Sequence, residues 1–169
     1  MTAAPETTKG RGSRRKLTTS DYQALGAFRH ALRKFLAFSE AGSDAMGLTP
    51  QQHQALLAVR GHTGTEAMTV GELAERLLIR NHSALGLAER LIEKGLMTRA
   101  PSPQDRRRVL LYLTVDGARQ LERISRRNLG QLKSALPVFT ELLRALEHLE
   151  LPPPSDESVG TRRRPKTVR

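Results

Sequence analysis

The chain has no cysteine among its 169 residues. That excludes disulfides, thiolate zinc sites and any redox sensor built on a thiol. Aromatic residues are scarce, at 4%, so the stacking platforms used in single-stranded RNA recognition are missing from the basic surfaces. No stretch approaches the roughly 20 apolar residues of a membrane span. The opening residues, MTAAPETTKGRGSRRK, hold no apolar run that could serve as a signal-peptide core. A cytoplasmic protein with no membrane partner is expected. Catalytic signatures are lacking too: HExxH, GxSxG and a Gly-rich phosphate loop do not occur. The reading is therefore no enzyme and no cofactor. Glu40, Asp44, His53 and His148 can be assembled on paper as metal ligands, but their spacing has no ligand signature.

Acidic residues are the minority charge. Lys and Arg number 28 against 17 Asp and Glu, for a formal net charge of +11. An excess of this size points to a polyanionic partner, either nucleic acid or an acidic membrane face. Residues 1–16 and 152–169 concentrate this charge without periodicity or enough apolar residues to offset ordering entropy, so both are expected to be disordered basic tails. Residues 17–151 are expected to form one domain.

Within that body, Leu25, Phe28, Leu32, Phe35 and Leu36 recur at helical spacing and predict a helix over 21–40, broken by Gly42 and Ser43. A second helix starts at Thr49-Pro50-Gln51-Gln52, where Thr49 can cap and Gln52 can close a capping box. Leu56, Leu57 and Val59 form its buried side, and Gly61 ends it. Thr69 with Glu72 makes the same box for a third helix, striped by Leu73, Leu77 and Leu78. A fourth runs over about 81–94, capped by Asn81, with Ala84, Leu87, Ala88 and Leu91 inward and Gly95 as terminator. Strands follow near 97–100 and 109–113, joined by PSPQDRRR. A long last helix begins after Thr114, and Pro137 is expected to break or kink it before a further helix.

The stretch from Thr69 to Gly117 decides the functional reading. A helix can fill the major groove of duplex DNA while an arginine-tipped hairpin reaches the neighbouring minor groove. Arg106, Arg107 and Arg108 sit together at the turn. Three consecutive arginines repel one another unless a polyanion neutralises them, and the guanidinium suits the negative potential of a narrow minor groove. Asp105 cannot attract phosphate. Its expected role is local, holding an arginine or a backbone amide so that the tip keeps its shape.

Residues 48–121 resemble the MarR family of bacterial winged helix-turn-helix regulators. The matching pieces are LTPQQHQALLAV, TVGELAERLLI, LAERLIEKGLMTR and SPQDRRRVLLYLTVDG, the last carrying an Asp-x-Arg wing and a Leu-Thr-x-x-Gly helix start. The resemblance implies a mainly α fold with a small β-hairpin wing and dimerisation helices from both chain ends, its DNA-binding core at about 48–117. It places Arg107 in the minor groove, with Arg106 and Arg108 on phosphates and Asp105 positioning the wing. On the fourth helix it points to Arg80, Asn81, His82, Ser83 and Leu85 as DNA-facing, with Gly86 and Arg90 further along. His82 can donate to a base edge or phosphate, or it can pack under the wing as a structural histidine. Gly86 stands where several relatives differ, so base preference does not carry over.

The implied function is a sequence-specific, homodimeric, ligand-responsive repressor bound to an inverted-repeat operator in double-stranded DNA. Family members are commonly released by small aromatic or anionic effectors bound between the dimer and DNA domains. Tyr22, Phe28, Arg29, Phe35 and His53 can line such a pocket, but no ligand site is assigned. The alternative is an architectural, nucleoid-type binder that barely reads sequence. Selectivity over random DNA at matched salt separates the two.

Overall fold

The computed structural model describes residues 16–105 and 107–147. In chain order the elements are α1 (Thr19–Asp44), α2 (Pro50–Arg60), α3 (Val70–Leu77), α4 (Asn81–Glu93), the hairpin β1 (Met97–Pro101) and β2 (Val109–Leu113), and α5 (Val115–Glu147). Capping boxes start three of the helices. Thr18 pairs with Asp21, Thr49 with Gln52 and Thr69 with Glu72, each threonine accepting from the third helical amide while the partner side chain accepts from the threonine amide.

The core lies where α2, α3 and α4 meet the hairpin and the first turns of α5. Leu56, Leu73, Leu87, Leu91, Leu111 and Ile124 are buried there. Each fully buried leucine contributes about 2 kcal/mol. Such packing, rather than helix propensity, holds α3, which has only 8 residues. The strands pair antiparallel from Met97 opposite Leu113 to Pro101 opposite Val109. A bridge between Thr69 and Leu110 adds the α2–α3 connection to the hairpin's inner edge, with the Leu111 amide donating to the Met68 carbonyl at 2.8 Å.

One close approach fixes how α5 leaves the hairpin. A Cβ built on Gly117 would lie 1.9 Å from the Leu96 carbonyl oxygen, so only glycine fits without moving backbone. Thr114 secures the same corner: its hydroxyl donates to the Gly95 carbonyl at 2.7 Å and accepts from the Gly117 amide at 3.0 Å.

Several expectations are corrected. Gly42 and Ser43 do not break α1, which continues to Asp44. Both are buried, Gly42 against the Arg127 side chain, and the Ser43 hydroxyl donates to the Ser39 carbonyl. The chain reverses after the helix at Gly47, whose φ of +71° lets the Leu48 amide return to the Ser43 carbonyl. Pro137 lies inside a continuous α5 rather than between two helices. Packing against α1 on both sides of it, including an edge-on contact of Phe139 with Phe28 at 6.4 Å, opposes the proline's helix-breaking cost. Asn81 is the first helical residue and Arg80 the cap. Leu57 is exposed rather than buried. Leu78 is no part of the α3 stripe: it ends the helix in a left-handed conformation, φ 55°, with 93% of its surface exposed. The basic tails lie outside the described residues apart from Lys16, as does His148.

Candidate nucleic-acid interface

The α3–α4 turn sets the angle of the second helix. Leu78 adopts its left-handed conformation so that the Ile79 amide can reach the Ala74 carbonyl at 3.0 Å. The chain then enters α4 at once. Ala84, Leu87, Ala88 and Leu91 anchor the inner face in the core. Helical geometry turns Asn81, His82, Ser83, Leu85 and Arg90 outward, and all five are exposed, as is Arg80 at the cap. Gly86 is half-buried, and a Cβ there would meet only the Arg90 guanidinium at 3.6 Å. Among the described residues no side chain caps α4, and the Ser83 amide donates instead to the Arg80 carbonyl at 2.9 Å.

The hairpin leans over this face. Between them runs a cleft of about 390 Å³, lined among others by Asn81, His82, Leu85, Arg99, Arg107 and Arg108. The consecutive elements α4, β1 and β2 thus bring recognition-helix and wing residues to one groove. His82 is exposed in that cleft rather than packed under the wing. Glu89 also lines it and is the acid among these basic and neutral residues.

The hairpin tip is built by Ser102 and Asp105. The Ser102 hydroxyl accepts from the Gln104 and Asp105 amides at 3.1 and 3.3 Å. Asp105 Oδ1 accepts from the Arg107 amide at 3.0 Å, and its carbonyl accepts from the Arg108 amide at 2.9 Å. The carboxylate therefore shapes backbone. The Arg107 side chain is exposed, while Arg106 lies outside the described residues.

Arg108, expected on a phosphate, forms ion pairs within the chain. Its Nη1 donates to Glu66 Oε2 at 3.0 Å and its Nη2 lies 3.8 Å from Glu72 Oε1. Glu66 Oε1 also accepts from the Ser102 hydroxyl at 2.7 Å. Glu72 in turn accepts from the Thr69 amide and hydroxyl, both at 2.7 Å. The bonds to Thr69 hold its carboxyl below the usual range, against a small opposing effect of burial, with His62 and Arg108 adding to the lowering. Glu66 and Ser102 were not singled out from sequence. The Ser-x-x-Asp spacing of 102–105 is a turn signal that can be read there, whereas nothing local marks Glu66.

The MarR family model matches residues 46–108, covering α2, both helices of the helix-turn-helix, β1 and the hairpin turn, and ending before β2. The organic hydroperoxide resistance transcriptional regulator of Bacillus subtilis (strain 168) is 34% identical over 113 residues, 59% of this chain and 75% of that protein. The chain belongs to the MarR family. A further MarR-type relative, the HTH-type transcriptional repressor MdtR of the same organism, is 31% identical over 81 residues, 48% of this chain and 50% of that one. Among solved structures, an S. aureus MepR variant bound to an oligodeoxyribonucleotide superposes with a TM-score of 0.56 at 20% identity, covering 78% of this chain and 94% of that one. This MarR protein is a DNA-binding transcriptional regulator and not an enzyme. Among the described residues no helix is long and apolar enough to cross a membrane.

Proposed function

We propose that the chain is a homodimeric, effector-released repressor of an inverted-repeat operator. The observation that carries the DNA-reading part is the shared cleft. The outer face of α4 and the Arg107 tip line one cleft, as a helix in the major groove with a wing in the adjacent minor groove requires. In this reading Asn81, His82, Ser83 and Leu85 address base edges. Arg80 and Arg90 bind phosphate on either side, and Gly86 lets backbone approach. Arg107 enters the minor groove and Asp105 holds the tip. Arg106 retains its phosphate role from the sequence alone. Arg108, engaged by Glu66, becomes a positioning residue for the wing.

The dimer rests on a different feature. Leu129, Leu136 and Leu143 recur every seventh residue along α5, and Leu25 and Leu32 do so on α1, yet all five are exposed in the single chain. Stripes of that period pack against another helix. A second copy offers one by two-fold symmetry and would set two α4 helices about 34–36 Å apart. The repressor role draws on MdtR, which is named a repressor. Effector release draws on a cavity between α1, α2 and α5. With no cysteine in the chain, any such response works by binding rather than thiol oxidation.

The test is selection of fragmented genomic DNA by the purified protein at about physiological salt, with sedimentation of the recovered complex. An enriched inverted repeat bound by two chains is expected. Unenriched fragments would instead favour a nucleoid-type binder and remove α4 as the reading element.

A further inference from the structure

The buried residues of α4 fix which of its side chains face a partner head-on. At about 100° per residue, Ala84, Leu87, Ala88 and Leu91 together define the inward direction of the helix. His82, Gly86 and Glu89 fall within roughly 30° of the opposite direction, the crest that faces away from the core. Leu85 and Arg90 stand about 70° to either side of it, and Ser83 about 90°. Gly86 has no side chain, so His82 and Glu89 are the groups the crest presents. Both are exposed and both line the cleft between α4 and the hairpin, whereas Arg90 is not part of that lining. Arg99, Arg107 and Arg108 line the same cleft, yet among the described residues Glu89 has no hydrogen bond and no ion pair. An unpaired carboxylate on the crest of a DNA-reading helix repels phosphate. It weakens binding unless a donor on the DNA meets it.

We infer that Glu89 is a specificity-determining residue that fixes a cytosine at one position of each operator half-site. The inference rests on the operator reading above and names the base that one residue selects. A carboxylate only accepts hydrogen bonds. In the major groove guanine offers N7 and O6 and thymine offers O4, all acceptors, so both set lone pairs against Glu89. The donors there are two exocyclic amines, N4 of cytosine and N6 of adenine. Adenine carries the N7 acceptor beside its amine, against the second carboxylate oxygen. Cytosine has no acceptor of its own on that edge, so it satisfies Glu89 without opposing it. The charge then raises selectivity rather than affinity: phosphate repulsion acts at every sequence, and only cytosine offsets it. Gly86 serves the same contact. Nothing in the chain requires glycine there, since a Cβ would meet only the Arg90 guanidinium at 3.6 Å, and glycine weakens a helix interior. What the bare crest permits is close approach of base edges beside Glu89.

The experiment is selection from a random duplex library at about physiological salt, run in parallel with the full wild-type chain and Glu89→Gln. Glu89 is exposed and unbonded among the described residues, so the variant keeps the fold. Glutamine both donates and accepts, and it pairs with N6 and N7 of adenine. The two selected repeats should therefore agree except at one position of each half-site, a C·G pair for wild type and an A·T pair for the variant. Fluorescence anisotropy with each of the four base pairs at that position gives the magnitude. Wild type should bind the C·G repeat roughly tenfold tighter than the other three, and the variant should lose that preference or turn it to A·T. The same repeat from both proteins, or uniformly tighter binding by Glu89→Gln with the order of bases unchanged, would overturn the inference and leave the operator reading standing. No repeat from the wild type would sink the operator reading itself, and the assignment of Glu89 with it.

Discussion

Arg108 Nη1 lies 3.0 Å from Glu66 Oε2, an ion pair that bridges 42 residues of sequence and ties the outer end of the wing to the α2–α3 connection. The same carboxylate takes the Ser102 hydroxyl on its other oxygen, so one side chain grips both sides of the hairpin loop. Glu66 is 13% exposed at its side chain and Arg108 43%. The pair is thus partly screened, and most of the cost of losing it lies in the freed Ser102 and Arg108 donors.

Glu66→Ala is expected to lower stability by about 1 kcal/mol and to loosen the wing. Urea unfolding gives the first quantity. Operator affinity gives the second, and it should fall although Glu66 carries the wrong sign for DNA. Tighter DNA binding in that variant would mean that Glu66 merely opposes phosphate and that wing geometry is indifferent to it.

Arg107 is exposed at the tip, and the bond to Asp105 uses its backbone amide rather than its guanidinium. Arg107→Ala should therefore leave the fold and dimer intact while weakening operator binding by about tenfold or more. The salt dependence should shift as for roughly one lost contact. Fluorescence anisotropy across a salt series reads both. Unchanged affinity would take the wing out of the mechanism.

Leu78 combines a φ of 55° with 93% exposure. It bears left-handed strain while burying almost nothing in the single chain. Leu78→Gly should raise stability by roughly 0.5 kcal/mol, the relief of strain outweighing glycine's entropy in the unfolded chain. Chemical denaturation decides the sign. A loss of stability would show that the leucine packs against something beyond its own chain.

Glu72 has a carboxyl held low by its bonds to Thr69. A lowered folded value means that the stabilisation is fully present above the unfolded carboxylate range. It is lost as pH falls through the lower, folded value. The melting temperature of wild type should thus drop between about pH 5 and pH 3 more than that of Glu72→Gln, whose amide oxygen can still accept from Thr69 without titrating. Parallel pH profiles would place the acid sensitivity elsewhere.

Much of the architecture is legible in residue order because its signals are local. Thr49 with Gln52 and Thr69 with Glu72 mark helix starts within four residues, and Gly95 marks a helix end by a backbone angle few other residues accept. The inward set Ala84, Leu87, Ala88 and Leu91 follows from helical period alone. Where such local cues misled, packing had overruled them. Gly42 and Ser43 read as a break but lie buried within a helix packed against α5, and Pro137 reads as a stop but sits in a helix braced by α1.

By itself, then, the sequence determined the order of helices and strands, the cationic hairpin turn and the outward face of α4, since caps, period and charge act over a few residues. Only the tertiary structure decided that Arg108 turns to Glu66, that Leu78 stands clear of the α3 stripe, and that His53 and Asn128 share one cavity. The first and last of these join residues dozens of positions apart. They are set by which surfaces the buried leucines bring together, and no local pattern in the chain encodes that distance.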